Sequence, residues 1–190
     1  YAKSFGLGEK TGIEIPESSP KLATKFPVMA AIGQSDHAYT TAQLARYVTS
    51  VANSGTVYNL ILLDKTVDGK NAVIKDYTPV VKNKITNISL ESWNAIHSGM
   101  RMVVEKLPVF NSLLTPVAGK TGTAQEDKTR PTHALFVGYA PFDNPSFAIA
   151  TRIAFGYTSG NAAELSAQIT KFYFKEADRS TLVTGEAGVI

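Results

Sequence analysis

The residues most able to do chemistry lie in one short segment, Ala118–Gln125, which reads AGKTGTAQ. Lys120 supplies a positive charge, and the hydroxyls of Thr121 and Thr123 can donate hydrogen bonds to an anion. Gly122 removes a side chain where a ligand could approach the backbone. The segment has the pattern of a strand, and a strand at the edge of a sheet can pair with an extended peptide.

A nucleotide-binding site is one alternative, because residues 119–121 resemble the end of a phosphate-binding P-loop. That motif requires a glycine five positions before Gly119, where this sequence has Leu114. It also requires a helix directly after the lysine, whereas Thr121–Gln125 continues the strand pattern. These two departures argue strongly against the P-loop interpretation.

The tripeptide Lys-Thr-Gly occurs twice, so it is a weak signal when taken alone. The first copy, Lys10–Gly12, is followed by Ile13 instead of a threonine, and Pro16 would interrupt a long strand in a sheet. We therefore expect Lys10–Gly12 to lie in a loop, and Lys120–Gly122 to carry the function.

Capping and turn signals predict the helices that surround this segment. Thr40 with Gln43 forms a capping box at the start of a helix, and Gly55 suits the C′ position at its end. A second helix is predicted from Ser89 as N-cap to a stop at Pro108, with Trp93 among its core residues. A final helix is predicted at about Ala162–Glu176, with its large apolar residues on the inner face: Leu165, Ile169, Phe172 and Tyr173.

The predicted strands fall into two groups. The first group is Val57–Leu63 and a hairpin that turns at Asp68-Gly69. The second group follows the candidate segment closely: Val117–Gln125, His133–Ala140 and Phe147–Phe155. The last two should form an antiparallel hairpin, because their connection is short and rich in proline. Residues 1–39 hold irregular loops, and the whole pattern predicts an α+β fold.

Composition excludes several kinds of protein. The 190 residues are 44% hydrophobic and only 18% charged, which is enough for a core and argues against disorder. A net charge of +3 without basic runs does not indicate a nucleic-acid partner. The absence of cysteine excludes disulfides and thiol catalysis. His37, His97 and His133 lack metal-ligand spacing, so we expect no metal and no cofactor.

The extended string GKTGTAQ, followed by a strand hairpin and a terminal helix, resembles the end of the transpeptidase domain of penicillin-binding proteins. The resemblance reaches to about Ala177 and is greatest to class B, the monofunctional transpeptidases. Other segments that resemble this family are Phe5–Ile13, Ile32–Gln34, Ala52–Thr56 and His133–Pro141.

The resemblance implies a part of the serine β-lactamase/DD-peptidase-like fold, in which an antiparallel sheet of five strands has helices on both faces. This chain is expected to supply three of those strands as the C-terminal half of the domain, over residues 1–178, with a loosely held tail at 179–190. The strand edge at Phe147–Phe155 is then left for the missing N-terminal half to cover.

The resemblance also implies an activity, that of a penicillin-sensitive peptidoglycan D-Ala-D-Ala transpeptidase. Lys120 and Thr123 are the expected catalytic residues, and Thr121, Gly122, Thr123 and Gln125 the expected substrate-binding residues. The Thr123 N–H would stabilise the oxyanion. The expected partners are peptidoglycan stem peptides and β-lactams. The parent protein is expected to be membrane-anchored and to act at the extracytoplasmic face of the bacterial cell membrane.

The family also requires Ser-x-x-Lys and Ser-x-Asn before Lys-Thr-Gly. Ser18–Lys21 matches the first motif, but Pro20 fits poorly with the buried helix that carries the nucleophile. Ser159–Asn161 matches the second motif, but it follows Lys120 and suits the turn and N-cap of the last helix. We therefore expect the nucleophile upstream of Tyr1, and expect this chain alone to be inactive.

Two related functions stay open. A penicillin-recognising sensor or binding domain of the same fold would bind β-lactams without turnover. A β-lactamase would need a deacylating base, for which no candidate stands out. Among other residues, His133 could line the site and His97 is expected to be structural. Arg46 and Arg101 are expected to be charges on helix surfaces, and Arg152 to be solvent-exposed or in a structural ion pair.

Overall fold

The computed structural model describes residues 1–182, which fold as mixed helices and antiparallel sheets. The chain divides into two compact units, Tyr1–His97 and Ser98–Ile190. The helices are α1 (Pro27–Ala31), α2 (Thr41–Ala52), α3 (Leu90–Glu105), α4 (Ser159–Tyr173) and α5 (Arg179–Leu182). The strands are β1 (Thr56–Tyr58), β2 (Lys65–Val67), β3 (Val73–Asp76), β4 (Val81–Lys84), β5 (Ala118–Ala124), β6 (His133–Ala140) and β7 (Phe147–Ile153).

Helix α2 of the first unit begins at the predicted capping box. The Gln43 N–H donates to Thr40 Oγ1 at 3.1 Å, and the Thr40 N–H donates to Gln43 Oε1 at 2.8 Å. The end of the helix differs by one residue from the prediction, because Ser54, with φ 58°, takes the C′ position in place of Gly55. A β-carbon on Gly55 would lie 2.9 Å from the Ile85 carbonyl oxygen, so this glycine is required by the close approach of the backbone that directly follows β4.

The prediction that Arg46 is a surface charge is wrong. Its residue is 1% exposed, and its guanidinium donates to the Lys10 and Glu9 carbonyls at 3.1 Å each and to the Gly6 carbonyl. Burial lowers the pKa of Arg46, and the negative charges of Glu9 and Glu17 oppose that shift. Arg46 therefore fixes the Gly6–Lys10 loop on α2.

The first unit contains two small sheets, and the first of the predicted strands is shorter than expected. β1 pairs with β4 and β2 pairs with β3, both antiparallel. The predicted strand Val57–Leu63 is wrong beyond Tyr58, because the chain turns away from its ladder and the Leu60 N–H donates to the Thr11 carbonyl at 3.0 Å. The predicted hairpin turn is present, and the Asp68 carboxylate accepts from the N–H groups of residues 70 and 72.

Helix α3 follows the predicted pattern. Ser89 caps it by accepting from the Ser92 N–H at 3.1 Å, and Pro108 begins a separate short 3-10 turn. Trp93 is 3% exposed and packs edge-on to Phe5, which confirms it as a core residue. His97 Nε2 lies 2.8 Å from the Val51 carbonyl oxygen, in agreement with the expected structural role.

The sheet of the second unit is antiparallel and has the order β5-β6-β7. Its two neighbouring pairs place Lys120 opposite Val137, and Val137 opposite Ala150. Phe136 in the central strand is fully buried, in a core that includes residues of β7, α4 and the 3-10 turn. Among the described residues β7 pairs only with β6, as expected for the strand at Phe147–Phe155.

Helix α4 packs on this sheet with the opposite face from the one predicted. Its buried residues are small or polar: Ala162, Ala163, Ser166, Ala167 and Thr170. The large residues predicted to face inward are exposed by 40–55%: Leu165, Ile169, Phe172 and Tyr173. The sheet already presents large residues such as Phe136 and Ile149 on this face, so the helix supplies small ones and lies close to it.

The C-terminal segment extends the described structure by one short helix. α5 covers Arg179–Leu182, and residues 183–190 of the predicted loosely held tail lie outside the described residues. The domain boundary at residue 178 therefore stays a prediction. Within residues 1–182, no helix is both long enough and apolar enough to cross a membrane.

Candidate active site

The candidate segment forms the outer strand of the second unit's sheet. β5 contains Lys120–Thr123 and pairs along its whole length with β6. In the described part of the chain, no strand pairs with its other side. Every second residue of such a strand directs its N–H and C=O away from the ladder, so this edge can receive an extended peptide.

The alternation of β5 divides the candidate residues between two faces. Thr121 and Thr123 are opposite Phe136 and Ala134, which face the core beneath α4. Both hydroxyl side chains therefore lie on one face, near enough to act on one anion. Lys120 precedes Thr121 by one residue, so its side chain leaves the strand on the opposite face.

The ammonium of Lys120 reaches back to the edge of its own strand. Lys120 is exposed, and its Nζ donates to the Thr121 carbonyl at 2.8 Å. The positive charge therefore lies at the edge of β5, between the face of the strand that Lys120 leaves and the face that carries the two threonines. It can attract a carboxylate that the threonine hydroxyls also contact.

Gly122 has no packing reason to be a glycine. A β-carbon added there would lie 3.5 Å from Leu135 Cβ and 3.9 Å from Leu135 Cδ1, which are ordinary contact distances. The backbone at this position is regular strand. Space beside Gly122 therefore remains available for a ligand to approach.

Two side chains fix the entry to β5. Arg101 Nη1 donates to the Val117 carbonyl at 2.8 Å, and Arg101 also pairs with Glu105 at 3.1 Å. The Glu176 carboxylate accepts from the N–H groups of Leu114 and Thr115 at 2.8 Å each, and from the Thr115 hydroxyl. The expectation of a plain surface charge at Arg101 is therefore incomplete, because this arginine also holds the strand.

Sequence reasoning missed Glu176. Partial burial raises its pKa, but hydrogen bonds from Thr115 and Leu114 and the charge of Lys171 outweigh burial, so its pKa lies below the ordinary value. No local pattern joins Glu176 to Thr115, which are 61 residues apart. The only available signal was a carboxylate at the end of a helix.

His133 lies at the other end of β5, opposite Ala124. It is 6% exposed, and its Nε2 lies 2.8 Å from the Glu126 carboxylate. Its Nδ1 accepts from the Phe155 N–H at 3.0 Å, and Arg152 Nη2 lies within 3.4 Å of both ring nitrogens. Arg152 is exposed and makes this structural contact, in line with its expected role.

The remaining candidates lie as follows. Gln125 is exposed and directly follows β5. The first Lys-Thr-Gly copy is a loop in which the Glu17 carboxylate accepts from the Thr11 N–H at 2.8 Å. Ser18 lies in an exposed loop, not on a helix. Ser159–Asn161 forms the first turn of α4, whose N-cap is Thr158 and not one of the three residues predicted.

The open strand edge with a lysine, two threonines and a glycine agrees with the family suggested by the sequence. The model of the penicillin binding protein transpeptidase domain matches residues 1–172. The chain belongs to the penicillin-binding protein transpeptidase domain family. The predicted family and the α+β fold are thereby confirmed.

Individual relatives support this assignment. Penicillin-binding protein 2B of Streptococcus pneumoniae is 31% identical over 195 residues, which cover 90% of this chain. Peptidoglycan D,D-transpeptidase MrdA of Haemophilus influenzae is 30% identical over 215 residues, which cover 93% of this chain. The solved structure of S. pneumoniae penicillin-binding protein 2B matches 92% of this chain with a TM-score of 0.79 and 29% identity. These relatives are class B penicillin-binding proteins.

The matched chain is a minor part of those proteins. It spans 28% of penicillin-binding protein 2B, 32% of MrdA and 32% of the solved chain.

Within residues 1–182 there is no group of three or more His, Asp or Glu side chains arranged to hold a metal ion.

Proposed function

We propose that the full protein is a serine-type peptidoglycan D,D-transpeptidase, in which this chain supplies the Lys-Thr-Gly strand. The observation that carries the proposal is the outer edge of β5, with which no strand within residues 1–182 pairs and on which Lys120 is exposed. The family assignment and the similarity to MrdA, a peptidoglycan D,D-transpeptidase, support the same reaction. The nucleophilic serine and its activating lysine are proposed to lie in a part of the protein outside this chain.

The proposed reaction is acyl transfer in two steps. The serine oxygen adds to the carbonyl carbon of the penultimate D-alanine, and collapse of the tetrahedral intermediate breaks the bond to the terminal D-alanine. The leaving nitrogen takes up the proton that the serine gives up. An amine of a neighbouring stem peptide then attacks the ester, which forms the cross-link and restores the serine hydroxyl. β-Lactams would acylate the same serine.

Each candidate residue has a role in this reaction. The hydroxyls of Thr121 and Thr123 bind the terminal carboxylate of the donor peptide, and Lys120 adds its positive charge from the strand edge. The Thr123 N–H donates to the oxyanion, and loss of one such donor typically costs about 3–4 kcal/mol of transition-state stabilisation. Gly122 admits the peptide backbone, and Gln125 contacts a side chain or amide of the donor.

Fluorescent-penicillin labelling of the parent protein tests the Lys120 site. We expect Lys120→Ala to slow acylation by about 10- to 100-fold, because a hydrogen bond to a charged group such as the donor carboxylate contributes about 1.5–3 kcal/mol. Lys10→Ala is the matched control, because Lys10 stands in the loop copy of the tripeptide and should label at the wild-type rate. Equal labelling of the two variants, or no labelling of the parent, contradicts the proposal. The isolated 190-residue chain should not be labelled.

A turnover assay separates the enzyme from a penicillin-recognising sensor. The parent is supplied with a peptide that ends in D-Ala-D-Ala and with an amine acceptor, and mass spectrometry follows the released D-alanine and the new amide. Both products are expected from a transpeptidase, whereas acylation without either product indicates a sensor. Release of D-alanine with hydrolysis alone indicates a carboxypeptidase.

We infer an extracytoplasmic site of action from the same chemistry. Peptidoglycan, for which the relative MrdA is named, is assembled outside the bacterial cell membrane. A membrane anchor in the parent protein would hold the β5 edge near that substrate. Labelling of intact cells with a penicillin that does not cross the membrane tests this localisation.

A further inference from the structure

His133 joins the far end of the proposed docking edge to the end of β7. The β5–β6 ladder ends at the pair Ala124 and His133, so the chain beyond Ala124 leaves the sheet. Gln125 and Glu126 come next, and the Glu126 carboxylate meets His133 Nε2 at 2.8 Å. The other ring nitrogen meets the Phe155 N–H at 3.0 Å.

These two contacts determine which ring nitrogen of His133 carries the proton. Because Nδ1 accepts a hydrogen bond from the Phe155 N–H, it carries no proton. The ring proton is then on Nε2, from which it is donated to Glu126. The His133 and Phe155 ring centroids lie 4.9 Å apart, and Arg152 Nη2 lies 3.3 Å from Nε2 and 3.4 Å from Nδ1.

His133 and its partner Glu126 differ in their exposure to solvent. His133 itself is buried, whereas the Glu126 side chain is 70% exposed. A single exposed carboxylate is therefore held in place by a buried, fully oriented ring. That geometry restrains the backbone of Gln125, the last residue proposed to contact the substrate, at a point where the ladder no longer does.

We infer that His133 is a positioning residue for the transpeptidase site: in its Nε2–H form it anchors Glu126 and thereby fixes Gln125 at the end of the β5 edge. This inference rests on the proposed function, because a fixed edge matters only if a peptide or β-lactam docks along it. Misplacement by about 1 Å of a group that orients the substrate can cost about 10²-fold in rate.

Two substitutions separate the contacts of the ring. Asparagine at 133 keeps an oxygen near the position of Nδ1 and can still accept from Phe155, but it loses Glu126. Glutamine reaches as far as Nε2 and keeps Glu126, but it loses the acceptor for Phe155. We therefore expect His133→Asn to slow penicillin acylation of the parent by about 10- to 100-fold, and His133→Gln to retain more of the rate.

Glu126 supplies a second pair of variants that should not disturb folding, because its side chain is exposed. Glu126→Ala removes the acceptor and should slow acylation as His133→Asn does. Glu126→Gln keeps an acceptor oxygen and should restore most of the rate, a rescue that a general loss of stability cannot produce. His37→Asn is the matched control, since His37 lies in the first unit, stacked on Tyr39, and should leave the rate unchanged.

Nitrogen-15 NMR of the parent reads the ring directly. We expect His133 as the Nε2–H tautomer in the wild type, and as the same tautomer in Glu126→Gln. Wild-type acylation rates in both Glu126→Ala and His133→Asn overturn the positioning role while the transpeptidase proposal stands. If penicillin does not acylate the wild-type parent, the proposed function and the positioning role of His133 are both wrong. If the parent is acylated but His133 is the Nδ1–H tautomer, only the positioning role is wrong.

Discussion

The ring of Phe136 lies directly across the backbone of Gly119. A β-carbon added to Gly119 would come within 2.3 Å of Phe136 Cζ and within 2.8 Å of the Val137 carbonyl oxygen. Phe136 is fully buried and stacks on Phe110 at 5.3 Å, so it cannot move aside freely. Gly119 is therefore required by packing, in contrast to Gly122 three residues later.

The two glycines of β5 should separate stability from function. Gly119→Ala overpacks a filled core, so we expect it to lower the free energy of unfolding by about 1–3 kcal/mol. Gly122→Ala makes only ordinary contacts, so its stability should change by less than about 1 kcal/mol. Its new methyl group occupies the proposed path of the ligand, so penicillin acylation of the parent should slow. Thermal unfolding and labelling of the same two variants check both expectations, and a Gly122→Ala protein that loses stability as Gly119→Ala does would show that Gly122 serves packing.

The sequence predicted this strand well because its signals are local. The motif, the alternation of residues and the tight connection to Phe147 all lie within a few residues of one another. The structure gives Ala118–Ala124 for a predicted Val117–Gln125 and agrees with both ends of His133–Ala140. The side chains that hold the strand were not predictable in this way, because their partners are distant in sequence.

Glu176 should make the protein sensitive to acid at the entry to β5. Its pKa is lower in the folded protein than its ordinary value, so its stabilising contribution is fully present above that ordinary value. The contribution is lost as the pH falls through the lowered pKa of the folded state, where the carboxylate is protonated. We expect Glu176→Gln to be less stable than wild type at neutral pH, with the difference shrinking as the pH falls.

Urea unfolding at a series of pH values measures that difference. The matched control is Glu164→Gln, an exposed position on α4. Its stability should stay within about 0.5 kcal/mol of wild type at every pH. A constant difference between wild type and Glu176→Gln from neutral to acid pH would mean that the charge of Glu176 has no part in holding Thr115.

Arg46 should contribute strongly to the stability of the first unit. Arg46→Met leaves the carbonyl oxygens of Gly6, Glu9 and Lys10 without their donor in a buried place. We expect the free energy of unfolding to fall by about 2–4 kcal/mol, since each buried polar group without a partner costs about 1–3 kcal/mol. Lys106→Met, at an exposed cation, is the control and should change stability by less than about 0.5 kcal/mol.

The only tryptophan of the chain, Trp93, reports this unfolding directly. It is buried beside Phe5, which directly precedes the loop that Arg46 holds. Urea titration followed by its fluorescence should therefore show the loss in Arg46→Met. Equal midpoints for Arg46→Met and Lys106→Met would show that the three carbonyl contacts add nothing to stability.

The surface prediction for Arg46 failed for a physical reason. An arginine is normally exposed unless several acceptors are supplied for its donors. Here the acceptors are backbone carbonyls of a loop about forty residues earlier in the chain, and backbone groups leave no trace in residue types. The same limit applies to Glu176, whose partners include the N–H groups of Leu114 and Thr115.

Helix α4 provides the last test, because the residue types predict that one face of the helix is buried and the structure buries the opposite face. Ala167 is 2% exposed against the sheet, whereas Leu165 is 41% exposed. Ala167→Leu should therefore overpack the interface and cost about 1–3 kcal/mol. Leu165→Ala removes a larger apolar group but should cost less than about 1 kcal/mol, since much of that side chain is already in water. Thermal unfolding of the two variants decides the matter: the reverse order of stability would restore Leu165 to the core and turn α4 over on its sheet.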